Sequence, residues 1–183
     1  MCASLCRMLR CLALLLAAAA AALLGAAEEP RFTGKNQLLR PEGYRRWVFV
    51  GASLAMTYKE ERTSPERNFH NVYIDPRAFD EFEKTGKFPE NTILVLETLT
   101  SASQASINRD GHFEDRFVGL SAAVKNSSRF KEGWAYFSFP KGQSTAAAFP
   151  KERCWSCHTQ HAARDNVFLQ FYPVLRAAEK TGP

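Results

Sequence analysis

The sequence predicts an α+β fold, a mainly antiparallel β-sheet with peripheral helices. Three observations carry that prediction. Four runs rich in β-branched and aromatic residues, at 68–74, 92–99, 112–125 and 134–139, are separated by turn and loop signals. Helical patterns flank them, one with a cap at each end near 75–86 and one late in the chain over 161–178. No βαβ unit appears, so nothing favours a parallel sheet.

Taken in order, residues 28–40 are polar and irregular and read as a flexible leader before one domain over 41–183. Pro41 sits where a short helix can start, with Tyr44, Trp47 and Val48 on its buried face at i, i+3 and i+4. Val48-Phe49-Val50 then turns toward a strand. Residues 59–67 are charged and hold Pro65, a loop. In the strand Asn68 to Ile74, alternation puts Phe69, Asn71 and Tyr73 on one face and His70, Val72 and Ile74 on the other. Asp75 suits the N-cap of a helix, Pro76 its first position, Phe79 and Phe82 its apolar stripe, and Gly86 its stop. A second strand covers 92–99, and 100–111 is a loop ending in Asp110-Gly111. The third strand is bent or bulged at Gly119. The fourth, Trp134 to Phe139, has aromatics on both faces and reads as central. Residues 140–153 form a linker. Over 161–178, Phe168, Phe171 and Leu175 give helical spacing, kinked or divided at Pro173. There is no internal repeat.

Behind the last strand stands Cys154-Trp155-Ser156-Cys157-His158. Two thiols two residues apart can add to the two vinyl groups along one porphyrin edge. The histidine after the second thiol is then held against one face of the ring, where Nε2 can bind iron and Nδ1–H needs an acceptor. The pattern therefore points to one covalently bound haem c near the C-terminus, held by Cys154 and Cys157, with His158 as metal ligand. A zinc site and a redox dithiol are the alternatives. Zinc would crowd Cys154, Cys157, His158 and His161 into one short stretch, and a thioredoxin-type motif belongs in a βαβ unit.

Residues 1–27 read as a cleavable signal peptide: Arg7 and Arg10, an apolar run from Leu12 to Leu24, then Gly25-Ala26-Ala27. Its removal takes away Cys2, Cys6 and Cys11 and leaves only the two motif cysteines of the five. A periplasmic or secreted protein with that cysteine usage fits haem attachment rather than a disulfide scaffold. The formal charge falls from +5 to +3, because two arginines leave and all 19 acidic residues stay. The basic residues are scattered among Glu and Asp, which argues against nucleic acid as a partner.

The opposite side of the iron has few candidates. Met56 ends an apolar stretch and reads as a core side chain. His161 follows His158 by one turn and stays on the same side. His112 sits at the mouth of a turn. His70, on the face shared with Val72 and Ile74, is the distal candidate, with a satisfied core histidine as the alternative reading. The chain's 14 phenylalanines suit an apolar distal wall that keeps the sixth position open to small neutral ligands.

Several stretches together resemble the cytochrome P-460 family, which includes the β-sheet cytochromes c′. They are Tyr44-Arg45-Arg46-Trp47 with Val50-Gly51, Asn71 to Pro76, Thr85-Gly86-Lys87-Phe88, Val124-Lys125 with Arg129-Phe130, and Gly133 to Phe137. The last are the cysteine motif and Val167-Phe168 with Gln170 to Arg176. The resemblance implies a mainly antiparallel β fold, a periplasmic location and a five-coordinate haem. Dimers are common in the family, which admits a homodimer here. Some members oxidise hydroxylamine and carry a lysine cross-linked to the ring; others bind nitric oxide and carbon monoxide over an apolar face. The cross-linking lysine's place falls on Leu96, which has no nucleophile. The distal basic residue's place falls on His70, and the region before the motif offers only Glu152 as a carboxylate.

The resulting expectation is a monohaem c-type cytochrome that binds small gaseous or nitrogenous ligands such as nitric oxide. The rivals are a hydroxylamine-oxidising enzyme and a six-coordinate electron-transfer cytochrome with a redox partner protein.

Overall fold

The computed structural model describes residues 29–34, 36–57 and 67–179. The expected signal peptide, most of the 59–67 loop and the last four residues lie outside them. Among the described residues, eight strands form two antiparallel sheets. The larger has five strands in chain order, β3 (Val48–Leu54), β4 (Asn68–Ile74), β5 (Ile93–Ala102), β6 (Phe113–Lys125) and β7 (Trp134–Pro140). The smaller pairs β1 (Phe32–Thr33) and β2 (Gln37–Leu39) with β8 (Thr145–Ala147). The described residues also form three α-helices: α1 (Pro76–Thr85), α2 (Trp155–His161) and α3 (Pro173–Glu179). The α+β expectation is met.

Alternation along the strands sorts the core into two layers. One face of the large sheet carries Val72, Ile74, Leu94, Trp134 and Tyr136, packed against Phe82 of α1 and Leu175 of α3. The other carries Val95, Leu120, Ala122, Phe137 and Phe139, covered by Leu38 of β2 and Ala146 of β8. The helices thus lie on one side and the small sheet on the other. On the small-sheet side Glu97 is buried, and its Oε1 accepts bonds from Tyr44 Oη at 2.6 Å and from Arg45. Burial, then the hydrogen bond to Glu97, pushes the Tyr44 hydroxyl up to about 12.

Local chemistry explains α1. Asp75 Oδ1 accepts the Ala78 backbone N–H at 2.8 Å, Pro76 fills the first position, and Gly86 ends the helix at φ 67°. Asp75 Oδ2 also accepts the Ile93 N–H at 2.8 Å, so one carboxylate joins β4, α1 and β5. Phe82 is fully buried, while Phe79 is only partly so. The bulge expected at Gly119 is present: the register jumps from Thr98↔Gly119 to Leu99↔Phe117, which leaves Val118 as the extra residue.

Several expectations need correction. The segment read as a flexible leader forms β1 and β2, and Leu38 has no exposed surface. Its polar residues face solvent, and the strand pairing comes from β8, which the linker reading of 140–153 had concealed. The helix expected at 41–48 is a single 3-10 turn, Tyr44–Arg46, before β3. The loop expected from residue 100 begins only after Ala102. β7 is an edge strand, not a central one. Its aromatics are buried on both faces because the small sheet covers one side and the cysteine-motif region the other.

The helical segment expected over 161–178 does start anew at Pro173, where α3 begins, but what precedes it is not one helix: it is the end of α2 and a 3-10 turn at Leu169–Phe171. Asp165 and Asn166 adopt left-handed backbone at φ 44° and 60°, which no helix tolerates. The Gln170 side chain then closes the end of α2. Its Nε2 donates to the His161 carbonyl at 2.8 Å, and its Oε1 accepts from the Ala163 N–H at 3.1 Å. Phe168 is buried and Phe171 exposed, so they do not share a helical stripe.

Candidate functional site

The cysteine motif forms α2 and its entry. Cys154 is the N-cap residue, and the His158 N–H donates to the Cys154 carbonyl at 3.0 Å. Cys154 and Cys157 are free thiols one turn apart, both half-buried. Burial, then the repulsion of Cys157, raises the Cys154 thiol, an effect only partly offset by Arg153. Among the described residues, no group of three His, Cys, Asp or Glu side chains converges to hold a metal by itself. The helix is docked by Trp155, whose Nε1 donates to the Glu132 carbonyl at 3.1 Å, with Lys151 Nζ 4.5 Å from the indole centre.

His158 is the most constrained side chain of the motif. Its Nδ1 lies 2.7 Å from the Asn166 carbonyl oxygen. A carbonyl can only accept, so Nδ1 carries the proton and Nε2 keeps its lone pair. The ring sits between Tyr136 and Phe168, with centroids 4.3 and 4.6 Å away. Burial lowers the His158 pKa, outweighing the opposing hydrogen bond, so the imidazole is neutral at pH 7. A neutral, oriented imidazole whose Nε2 keeps its lone pair could hold an iron.

Beside it opens a cavity of about 170 Å³ against the helix-side face of the large sheet. His158, Cys154, Tyr136, Leu96, Ser121 and Ala123 line it, with Phe149 and Tyr172. The register Val72↔Leu96↔Ser121 and Leu94↔Ala123↔Tyr136 places these residues side by side on one face. The space exists because Ser121 and Ala123 are small where their neighbours are Leu and Tyr. Tyr136 Oη is buried there without a hydrogen-bond partner. Cys154, a neutral histidine and an unpartnered hydroxyl line this apolar hollow, and Cys157, one turn along α2, does not line it; that donor set fits a haem tethered through the motif. Cys154 and Cys157 would hold the ring and His158 the metal.

A second hollow of about 90 Å³ adjoins the first through Val72, Leu96 and Tyr172. It is lined by His70, Met56, Ser53, Gly51, Ala52 and Phe171. His70 is half-buried, and burial lowers its pKa, so it too is neutral at pH 7. Gly51 is required for the close approach of β3 to the 171–173 segment. A Cβ there would meet the Phe171 carbonyl at 3.1 Å and Pro173 Cδ at 3.2 Å. A larger open depression of about 510 Å³, at Arg40–Arg45 and Phe117, lies on the small-sheet side and holds neither thiol nor histidine.

The structure therefore brings together Cys154, His158 and Leu96 around one cavity, and Leu96 and His70 around the adjoining one. Among the described residues, no lysine lines either. Lys125 instead binds Asp165 at 2.7 Å, and Lys87 is exposed. His161 and His112 are exposed as well. Sequence reasoning missed Tyr136, Tyr172, Phe168 and the Asn166 carbonyl. For Tyr136 a signal existed, because alternation in β7 puts it with Trp134 on the helix-side face. The Asp165-Asn166 pair, two residues that tolerate left-handed backbone, was the signal for the turn that presents the carbonyl.

A family model described as cytochrome P-460 matches residues 41–169, more than half of the chain. No curated protein matches the chain.

Proposed function

The chain belongs to the cytochrome P-460 family and is a haem-binding cytochrome, and from that premise we propose that it is an exported monohaem cytochrome c that binds small nitrogenous ligands. In this reading Cys154 and Cys157 form the two thioethers and His158 is the proximal ligand. The iron supplies the ligand-binding and redox chemistry. The chain supplies the orientation of His158, the apolar walls that exclude water, and a hollow at His70 that admits a ligand the size of nitric oxide. The observation that carries the reading is His158 itself: neutral, pinned through Nδ1 to the Asn166 carbonyl, with Nε2 free beside the cavity.

Neutral His70 donates one hydrogen bond, which suits a small polar ligand better than an anion. Leu96 presents only hydrocarbon where the ring-modified relatives need an amine, which weighs against hydroxylamine oxidation. A second reading, electron transfer with two axial ligands, is favoured by His70 and Met56 both lining the adjoining hollow. Periplasmic location, a redox partner protein and a homodimer belong to the same proposal.

The test is expression with cytochrome c maturation machinery. The band should keep its haem stain after denaturation in SDS, and the ferrous protein should be high-spin and take carbon monoxide directly. A band without haem sinks the cytochrome c reading. A low-spin ferrous spectrum that turns high-spin in His70→Ala or Met56→Ala establishes the second reading instead.

A further inference from the structure

The loop that presents the Asn166 carbonyl is held in an unusual way. Asp165 and Asn166 both have positive φ, 44° and 60°, a region that Asp and Asn enter more readily than other side-chain-bearing residues. Side-chain contacts hold the pair. Asp165 Oδ1 accepts Trp134 Nε1–H at 3.0 Å, and Oδ2 accepts Lys125 Nζ at 2.7 Å. Lys125 also donates to the Phe88 carbonyl at 2.8 Å. Lys125 and Trp134 are register partners at the ends of β6 and β7, so both grips come from one rigid corner of the sheet. On the other side, Thr159 Oγ1 of α2 donates to Asn166 Oδ1 at 2.8 Å. The carbonyl that meets His158 Nδ1 is thus fastened to the sheet through Asp165 and to the helix through Thr159.

We propose that Asp165, gripped by Lys125 and Trp134, is a positioning residue for the proximal histidine: it holds the Asn166 carbonyl against His158 Nδ1–H and so sets how strongly Nε2 donates to the haem iron. The inference rests on the reading of His158 as the iron ligand. A firm Nδ1–H···O=C bond gives the ring imidazolate character. That makes it a stronger donor, favours ferric iron and lowers the midpoint potential. Loosening the carbonyl reverses each effect.

Charge alone predicts something different, and the difference makes the test. Asp165→Asn removes a negative charge, and Lys125→Met removes a positive one. If these residues acted only through their fields, the potential would rise in the first and fall in the second. If they act by holding the carbonyl, it rises in both. It rises also in Trp134→Phe, which changes no charge.

The experiment is potentiometry of the haem-loaded full-length protein and these variants, with resonance Raman of the ferrous state for the iron–histidine stretch. The expected result is a shift of the ferric/ferrous equilibrium by about tenfold toward ferrous, or about 59 mV for one electron, in all three variants. A lower stretching frequency should accompany it, and Lys125→Arg should keep the wild-type values. A lowered or unchanged potential in Lys125→Met overturns the proposal. If Asp165→Asn fails to mature, Lys125→Met decides by itself, because only there do the two explanations differ in sign. A wild-type protein without covalent haem sinks the proposed function and this inference with it, and is recognised before any variant is measured.

Discussion

Replacing Tyr136 by Phe should change stability with opposite sign in the haem-free and haem-loaded protein. Tyr136 is 8% exposed, and its Oη is buried without a hydrogen-bond partner. Burial, and then the nearby Cys154 thiol, pushes its pKa far above the usual phenol value, so the group is a neutral hydroxyl at every working pH. A buried hydroxyl without a partner costs about 1–3 kcal/mol. Phenylalanine keeps the ring contact to His158, at 4.3 Å between centroids, and removes that cost. Haem-free protein, prepared in a Cys154→Ala/Cys157→Ala background, should therefore gain about 1–3 kcal/mol with Tyr136→Phe. For a domain of this size each kcal/mol is worth ~2–4 °C in Tm. If a haem bound at this cavity brings the hydroxyl a polar or ordered-water partner, the same change should cost about 0.5–1.5 kcal/mol there. Urea unfolding of the four proteins measures both differences. A loss in the haem-free pair means that Oη already has a partner in the protein. A gain in both pairs means that the hydroxyl faces no group brought by the haem. Either result refutes the reasoning.

Asp75→Ala removes a helix cap and leaves the buried Ile93 N–H without an acceptor, and should cost about 2–4 kcal/mol by urea unfolding; Asp75→Asn, which keeps one oxygen, should lose clearly less. Leu38→Ala should cost about 2–5 kcal/mol, because Leu38 is fully buried under the large sheet; a loss below about 0.5 kcal/mol would restore the view of 28–40 as a leader outside the fold. Burial holds the folded-state pKa of His70 below the unfolded value of about 6.5, so its neutral-form stability is present above that pH and is lost as pH falls from there through the folded value. The Tm difference between wild type and His70→Gln should accordingly move against the wild type between pH 7.5 and pH 5, and a pH-independent difference would contradict this burial.

Some features were legible because their causes are local. Asp75, Pro76 and Gly86 bracket α1 with chemistry that acts within four residues, and α1 is found between them. The period of two in 68–74 put His70 and Val72 on one face, and both line the hollow. Cys154, Cys157 and His158 carry their spacing in the chain itself, and a helical turn is enough to bring the thiols and the imidazole to one side.

Other features were not legible, because their causes are distant. β1 and β2 are two and three residues long, too short to show a period, and become strands only because β8, more than 100 residues later, offers an edge with Leu38 sealed beneath it. β7 resembles a central strand because burial on both faces leaves the same sequence trace whether the cover is a neighbouring strand or another layer. The break in 161–178 depends on Asp165 meeting Lys125 and Trp134 across some 30–40 residues of chain. By itself the sequence determined the chemistry: the thiols, the imidazole, the cap and the alternation, all set by covalent neighbours. Only the tertiary structure decided what faces that chemistry, namely the Asn166 carbonyl behind His158, the Tyr136 hydroxyl in the wall and the hollow between Leu96 and His70. Those contacts join residues far apart in the chain, and their geometry is fixed by packing between layers rather than by any local preference.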